Sequence, residues 1–266
     1  FDLSKPKECF QKIIEIKPDL IINCGAFTAV DEAEDNSDIC YRINAEAPKE
    51  MARALRKTGG KLIQISTDYV FDGKQNFPYK HNDKKNPISI YGLSKSAGED
   101  AIIDEFENNE NFCIIRTSWL MGPIGKNFAL SILKLHSQKE EIKVVNDQIG
   151  SPTSTYSLAK IILRIIENYK TFKNKNFHLN SIMHWSDQGF TSWYDLAFFL
   201  GKVGLELGLL KKNALVIPVK SNDYPYRAKR PMYSILDCKE TENLLSIKGI
   251  HWEMSLYQML QEVNLK

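Results

Sequence analysis

The chain has 266 residues, of which 43% are hydrophobic and 26% are charged, as is usual for a folded globular protein. Lys and Arg number 35 against 33 Asp and Glu, and the net charge of +2 gives no reason to expect a nucleic-acid partner. No apolar run approaches the length of a membrane span, and the five cysteines show no paired spacing. We therefore predict a cytoplasmic protein with reduced thiols and no membrane partner.

Strand-like and helix-like segments alternate along the first two thirds of the chain. The predicted helices cover 6–17, 37–57, 90–106, 126–137, 155–169 and 191–204, and the predicted strands cover 20–24, 61–66, 112–116, 143–145 and 177–179. This alternation is typical of an α/β fold, in which helices cover both faces of a parallel sheet. A looser C-terminal lobe is expected after residue 180.

Polar residues cluster where three of the predicted strands end. The clusters lie at 23–28, 66–69 and 116–119. In doubly wound parallel sheets, ligands bind beyond the carboxyl ends of the strands. The small residues at 24–26 would let a flat ligand approach the backbone, although Gly25 taken alone is equally suited to an ordinary turn.

The most informative chemical pattern is YGLSK at 91–95, at the start of a predicted helix. Tyr91 and Lys95 are four residues apart and so share one helix face. A free phenol titrates near ~10, and a neighbouring ammonium favours the phenolate, so we expect Lys95 to lower the pKa of Tyr91 and make it an acid–base catalyst. Such a pair alone is common by chance. Thr67, at the end of the preceding strand, can hydrogen-bond the same substrate oxygen, and this combination favours an oxidoreductase.

Four longer motifs link this pattern to a family. They read ISTDYVFDG at 65–73, YGLSKSAGE at 91–99, RTSW at 116–119 and VNDQIGSPT at 145–153, and Arg230-Pro231 follows near the C-terminus. In this order they closely resemble dTDP-4-dehydrorhamnose reductase, a family of extended short-chain dehydrogenase/reductases. The resemblance implies a Rossmann-like doubly wound sheet with a small α+β substrate lobe. It also implies NAD(P)H-dependent reduction of the 4-keto group of dTDP-4-dehydro-6-deoxy-L-mannose to dTDP-L-rhamnose.

The resemblance further implies a role for each matching residue. Tyr91 would donate the proton, Lys95 would lower its pKa and hold the nicotinamide ribose, and Thr67 would tune the hydrogen bond at the reacting oxygen. Further expected cofactor contacts are Asp2, Leu3, Gly25, Ala26, Thr28 and Ile65. The expected contacts to the dTDP-sugar are Thr67, Asp68, Trp119, Asn127 and Arg230. A guanidinium suits the diphosphate because it makes bidentate contacts with oxyanions.

The expected domains are a partial NAD(P)-binding Rossmann domain over 1–146 and a mainly substrate-binding lobe over 147–266, with some segments returning to the sheet. None of the 14 glycines forms the family's glycine-rich turn. We therefore expect a sheet lacking its first strands, a strand at 20–24 without one neighbour, and a chain that is inactive alone. The choice between NADH and NADPH stays open, because the residues that read the adenosine 2′ position would lie in the absent strand.

Other charged and aromatic residues are interpreted as structural. The acidic run at 31–35 suits a solvated helix start, where carboxylates favour the positive end of the dipole. The resemblance also allows Mg²⁺ at a homodimer contact near this run, but no metal ligand is assigned. Glu99 is expected on the surface of its helix, and Trp193 in the core of the C-terminal lobe.

Two alternative functions remain open from the sequence. The first is a non-catalytic regulatory subunit, of the type that partners a methionine adenosyltransferase. The second is epimerisation or reduction of another nucleotide sugar. The intact set of Thr67, Tyr91 and Lys95 argues against a purely regulatory role, which would not need it.

Overall fold

The structure, a computed structural model, describes residues 1–107, 111–171 and 181–264. The helices are α1 (Pro6–Ile16), α2 (Val30–Asp35), α3 (Ser37–Tyr41), α4 (Ala47–Thr58), α5 (Ile90–Phe106), α6 (Phe128–Gln138), α7 (Thr155–Thr171), α8 (Trp193–Glu206), α9 (Lys239–Leu245) and α10 (Trp252–Gln261). The strands are β1 (Leu20–Asn23), β2 (Lys61–Thr67), β3 (Phe112–Thr117), β4 (Leu120–Met121), β5 (Glu141–Val145), β6 (Ile149–Gly150), β7 (Thr153–Ser154), β8 (Ser181–His184), β9 (Thr191–Ser192) and β10 (Leu215–Val219). A π-helical turn spans Arg42–Glu46, and 3₁₀ turns span Asp68–Val70 and Ser221–Asp223.

A parallel sheet with the strand order β1-β2-β3-β8 forms the centre of the described residues. Its register pairs Ile22 with Ile63, and Ile115 with Met183. Every residue of β3 is buried, as expected for a strand that is covered on both faces. The predicted α/β fold with a parallel sheet is confirmed. Within the described part of the chain β1 pairs only with β2, which leaves Ile22 41% exposed.

Helices pack on both faces of this sheet, because alternate strand residues point to opposite sides. On one face α1, α4 and α5 form an apolar core with Leu62 and Ile114. On the other face α7 and α9 pack with Ile63 and Ile115.

A second lobe packs beside the carboxyl ends of the strands. Its core combines α6, α8 and α10 with the parallel pair β5–β10, in which Ile142 lies opposite Val216. Two short pairs, β4–β7 and β6–β9, connect this lobe to the end of the main sheet. None of the described helices combines the length and apolar character needed to cross a membrane.

Most predicted elements occur close to their expected bounds, and the exceptions have local causes. The helices expected from 126 and 191 begin two residues later, because the Asn127 and Ser192 side chains cap them by accepting hydrogen bonds from Leu130 N and Asp195 N. The helix predicted over 37–57 is divided by the π-helical turn. The strand predicted over 177–179 lies outside the described residues, and β8 begins after it.

Candidate active site

Two adjoining cavities open at the carboxyl ends of β1, β2 and β3. The larger has a volume of about 470 Å³ and reaches Arg230 in the second lobe, and the narrow one has about 150 Å³ and reaches Ala26, Ile65 and Lys95. Both cavities are lined by Thr28, Thr67, Asp68, Tyr91 and Trp119. The two cavities therefore form one cleft, and these shared residues stand at the junction.

The first turn of α5 is held against the end of β2 by its caps and by a close backbone approach. Ser89 accepts a hydrogen bond from Gly92 N at 3.2 Å, and the Glu34 carboxylate accepts one from Ile90 N at 2.9 Å. A Cβ on Gly92 would lie only 2.3 Å from the carbonyl oxygen of Tyr69. Only glycine permits this contact, which places the following helix turn beside the 3₁₀ turn.

Tyr91 and Lys95 both face the cleft, but their protonation differs from the sequence-based expectation. The Lys95 ammonium donates a hydrogen bond to the Ile65 carbonyl at 2.7 Å, and burial lowers its pKa to about 8. Burial raises the pKa of Tyr91 to about 12, although a hydrogen bond with Thr67 opposes the rise. The expectation that Lys95 lowers the Tyr91 pKa is wrong, because desolvation of the phenol dominates.

Thr67 and Asp68 extend this group along the floor of the cleft. The Thr67 hydroxyl donates to Asp68 Oδ1 at 3.0 Å and accepts from Tyr69 N at 3.2 Å. Asp68 is buried, and its Oδ2 has no hydrogen-bond partner among the described residues. Burial raises the pKa of Asp68 to about 6. A buried carboxylate oxygen without a protein partner is costly, so this oxygen suits a hydrogen bond from a ligand hydroxyl.

Trp119 forms one wall of the large cavity together with Trp193. The two rings stack with centroids 3.5 Å apart, and Trp119 has a left-handed backbone with φ of 46°. On the other side, a Cβ on Gly150 would lie 2.5 Å from the Trp119 ring. Trp193 therefore lines the cavity as well as packing against the lobe's core, a position that the sequence did not predict.

Arg230 reaches the large cavity, but an acidic side chain holds it. Its guanidinium contacts Asp31 at 3.1 and 2.6 Å and lies 3.6 Å from the centroid of the Tyr226 ring. Asp31 also accepts hydrogen bonds from the backbone N–H groups of Arg227 and Ala228. Although burial opposes it, these contacts keep the pKa of Asp31 below its usual value.

The acidic run at 31–35 is therefore more than a solvated helix start. Asp31 binds Arg230, Glu34 caps α5, and Asp35 pairs with Arg227. The sequence missed these roles because every partner is at least 56 residues away along the chain.

The loop after β1 is fixed from behind by Asn44 in the π-helical turn. The Asn44 side chain accepts from Phe27 N at 2.8 Å and donates to Phe27 O at 3.0 Å. Ala26 and Thr28 in this loop line the narrow cavity.

Four residues that the resemblance assigns to ligand contacts make structural contacts in this chain. Leu3 packs behind Gly25, where a Cβ would lie 2.6 Å from it, and Asp2 accepts hydrogen bonds from Ser4 N and Oγ. Asn127 caps α6 and donates to Gly122 O at 2.9 Å. Asp2, Leu3, Gly25 and Asn127 thus lie outside the lining of both cavities.

Comparison with known proteins shows which family the chain belongs to. The model described as the RmlD substrate binding domain matches residues 1–265. The chain belongs to the RmlD family. It is 37% identical over 247 residues to the spore coat polysaccharide biosynthesis protein SpsK of Bacillus subtilis, covering 92% of this chain and 80% of that protein.

Other members of the RmlD family carry enzyme names. The dTDP-4-dehydrorhamnose reductase of Salmonella typhimurium is 33% identical over 266 residues, covering 98% of this chain and 85% of that protein. The crystal structure of dTDP-4-dehydrorhamnose reductase from Bacillus anthracis in complex with NADP is 35% identical and has a TM-score of 0.87, covering 99% of this chain and 87% of that chain.

One expectation about this RmlD-family chain is plainly corrected by the structure. Glu99 does not lie on the surface of α5: it is 1% exposed and forms an ion pair with Arg116. The sequence also missed several aromatic residues of the cleft, which line the large cavity: Tyr69, Phe128, Trp193, Tyr224 and Tyr226. Within residues 1–107, 111–171 and 181–264, no group of three or more His, Cys, Asp and Glu side chains could hold a metal ion.

Proposed function

We propose that this chain is an NAD(P)H-dependent oxidoreductase that reduces the 4-keto group of dTDP-4-dehydro-6-deoxy-L-mannose to dTDP-L-rhamnose. The observation that carries the proposal is the meeting of Thr67, Tyr91 and Lys95 at one cleft in a chain of the RmlD family. Relatives that match 98% of the chain bear the name of this reductase. No observation favours a regulatory subunit or another nucleotide-sugar reaction.

The narrow cavity has a shape and chemistry that fit a nicotinamide nucleotide. Ala26 leaves room beside the backbone, Ile65 offers an apolar surface, and the Lys95 ammonium is a donor for ribose hydroxyls. Ala26, Thr28, Ile65, Tyr91 and Lys95 would hold the cofactor, which supplies the hydride when bound. The NADP complex of a relative supports NADPH as the preferred form.

The chain's own residues supply and control the proton. At neutral pH the Tyr91 phenol, with its pKa of about 12, is protonated and therefore able to donate. Lys95, with a pKa of about 8, is then mainly an ammonium, which stabilises the phenolate that donation leaves behind. Thr67 lines the same cavity junction as Tyr91 and would hydrogen-bond the keto oxygen beside it.

The large cavity offers contacts for the sugar nucleotide. Asp68 Oδ2, which has no hydrogen-bond partner among the described residues, would accept a hydrogen bond from a sugar hydroxyl. The stacked pair Trp119 and Trp193 gives a flat wall for the sugar. The Arg230 guanidinium, which Asp31 holds in place, would donate its other hydrogen bonds to the diphosphate. Asn127 is left out, since its side chain is used in the cap of α6.

Cofactor binding and substrate binding are assigned to different regions of the chain. Cofactor binding is assigned mainly to residues 1–146, although α6 and β5 of this region pack in the core of the second lobe. Substrate binding is assigned mainly to residues 147–266, from which Trp193 and Arg230 reach the cleft. β8 returns to the main sheet from this second region. A cytoplasmic location stays a prediction from the sequence. A homodimer stays a prediction.

The test is turnover of dTDP-4-dehydrorhamnose, followed by the absorbance of the reduced cofactor and by identification of the product. Two forms are compared: the chain itself and the chain extended at its N-terminus by a glycine-rich βα unit. We expect oxidation of NADPH only when the sugar nucleotide is present, with dTDP-L-rhamnose as product. Well-folded protein that oxidises no NADPH in either form would contradict the proposal, and equal rates in both forms would refute the expectation that the chain alone is inactive.

A further inference from the structure

A buried ion pair lies directly behind the cleft. Glu99 follows Lys95 by one turn of α5, and Arg116 stands near the end of β3. Their side chains are 1% and 2% exposed, and the guanidinium binds both carboxylate oxygens, Nε to Oε1 at 2.9 Å and Nη2 to Oε2 at 2.8 Å. Neither residue lines the cavities, so neither is placed to touch substrate or cofactor.

Neighbouring groups complete the hydrogen bonding of this pair. Arg116 Nη1 donates to the His81 carbonyl at 2.9 Å and lies 3.3 Å from His184 Nε2. Burial and the Arg116 charge lower the pKa of His184 to about 3, so His184 is neutral. Its Nδ1 lies 3.0 Å from the Tyr79 carbonyl and therefore carries the proton, which leaves Nε2 free to accept from Arg116.

One hydrogen bond and one helix turn connect the Glu99 carboxylate to the chemistry of the cleft. The Ser66 hydroxyl donates to Glu99 Oε1 at 2.5 Å, and Ser66 directly precedes Thr67 on β2. Lys95 occupies the preceding helix turn and is tied to the neighbouring Ile65 carbonyl. A buried ion pair is weak evidence for stability, because desolvation of two charges offsets most of their attraction. Its position at the join of α5 and β2 indicates another use.

We propose that Glu99 is a positioning residue for the active site: it fixes α5 to the end of β2 and supplies the negative charge that the Lys95 ammonium faces. The inference about catalysis rests on the proposed function, but the charge relation between Glu99 and Lys95 does not. Because this carboxylate belongs to α5 and is bound by Ser66 on β2, it sets the places of Tyr91 and Lys95 relative to Thr67.

The surroundings of Lys95 define the expected electrostatic effect. Lys95 lies one turn before Glu99 on α5, donates to the Ile65 carbonyl on β2 and is close to the Cys40 thiol on α3. Two cations contact Glu99 itself: Arg116 on β3, and Lys85, whose Nζ lies 3.3 Å from Glu99 Oε2. Burial lowers the pKa of Lys95 and the charge of Glu99 raises it. Removing that charge must therefore lower the pKa of Lys95 further and leave the ammonium less populated at neutral pH.

The experiment measures this titration directly by NMR of the full chain labelled with ¹³C at the lysine ε-carbon, with Lys95→Arg to assign the signal. In Glu99→Gln we expect Lys95 to titrate about one pH unit lower than in the wild type. Glu99→Asp keeps the charge and should stay near the wild-type value. Asp104→Asn is the matched control, because it removes an exposed carboxylate from further along the same helix. Asp100 is unsuitable, since it shares Lys85 with Glu99.

Folding is separated from charge by a double variant. Glu99→Gln alone leaves Arg116 buried without its partner, which is strongly destabilising. Glu99→Gln with Arg116→Gln removes both charges and should fold better, and its Lys95 titration should be lowered by less than in Glu99→Gln because the repulsion from Arg116 is removed as well. A Lys95 titration that is unchanged in both Gln variants would overturn the proposal.

Kinetics then distinguish positioning from plain structural support. In an active form of the protein, we expect the basic limb of the kcat profile in the double variant to move down by the same pH interval as the Lys95 titration, with KM for the sugar nucleotide within two-fold of the wild-type value. A uniform loss of kcat at every pH would refute the positioning role. If the titration moves but no form reduces dTDP-4-dehydrorhamnose, the proposed function fails and the charge relation stands.

Discussion

Replacing Gly92 by alanine should move the proton donor without removing it. The added Cβ would lie 2.3 Å from the Tyr69 carbonyl oxygen and 3.1 Å from Pro87 Cβ. Ordinary contact begins at 3.4 Å, so α5 and the 3₁₀ turn must separate by about 1 Å. The obstacle on one side is backbone and on the other a proline ring, and neither can rotate away.

The effects on stability and on activity should therefore differ in size. Overpacking typically costs about 1–3 kcal/mol, while alanine in a helix gains about 1 kcal/mol over glycine, which leaves a loss of unfolding free energy of roughly 0–2 kcal/mol. A displacement of about 1 Å at the reacting group costs on the order of 10²-fold in rate. Urea unfolding measures the first effect, and kcat at saturating sugar nucleotide measures the second.

Leu93→Ala is the matched control for this experiment. It changes the next residue of the same helix turn, where the side chain is 39% exposed, and should leave kcat within about two-fold. If Gly92→Ala folds and its kcat equals that of the control, the close approach of α5 to the 3₁₀ turn does not position Tyr91, and the reasoning is refuted.

Three further predictions concern the large cavity. Asp31→Asn should weaken the hold on Arg230 and raise KM for the sugar nucleotide several-fold at nearly constant kcat, and a fall in kcat alone would count against this. Trp193→Ala should likewise raise KM for the sugar nucleotide, because Trp119 loses its stacking partner. An unchanged KM in steady-state assays would show that the two tryptophans do not contribute to substrate binding. Burial raises the pKa of Asp68 from 3.8 to about 6, so the charged form costs stability as pH rises through this interval. The unfolding free energy of Asp68→Asn relative to the wild type should therefore grow by about 2 kcal/mol between pH 4 and pH 7, whereas a constant difference in denaturant titrations would show that Asp68 is not desolvated.

Local sequence was enough to predict the elements that position the catalytic residues. The helix predicted over 90–106 has those bounds in the structure, since Ser89 is a strong N-cap. The parallel order of the strands places 66–69 and 116–119 at one edge, which is why Thr67 and Trp119 meet Tyr91 at the cleft.

Local sequence patterns did not predict contacts between residues that are far apart along the chain. Helix α5 carries polar residues on its buried faces, so its residue pattern does not show that Glu99 is buried. Its partner Arg116 lies 17 residues later, on β3. Asp31 meets Arg230 199 residues later in the chain. The pKa of Tyr91 was predicted with the wrong sign, because the spacing to Lys95 is visible in the sequence and the desolvation of the phenol is not.

The most direct test of the account is the single-turnover rate of Tyr91→Phe, because this change removes one hydroxyl and keeps the ring. Binding of NADPH and of the sugar nucleotide is measured separately on the same protein. The account predicts unchanged binding and a reduction rate lower by about 10²–10⁴-fold, the usual contribution of a positioned acid. A rate within a few-fold of the wild-type value would mean that the proton comes from elsewhere.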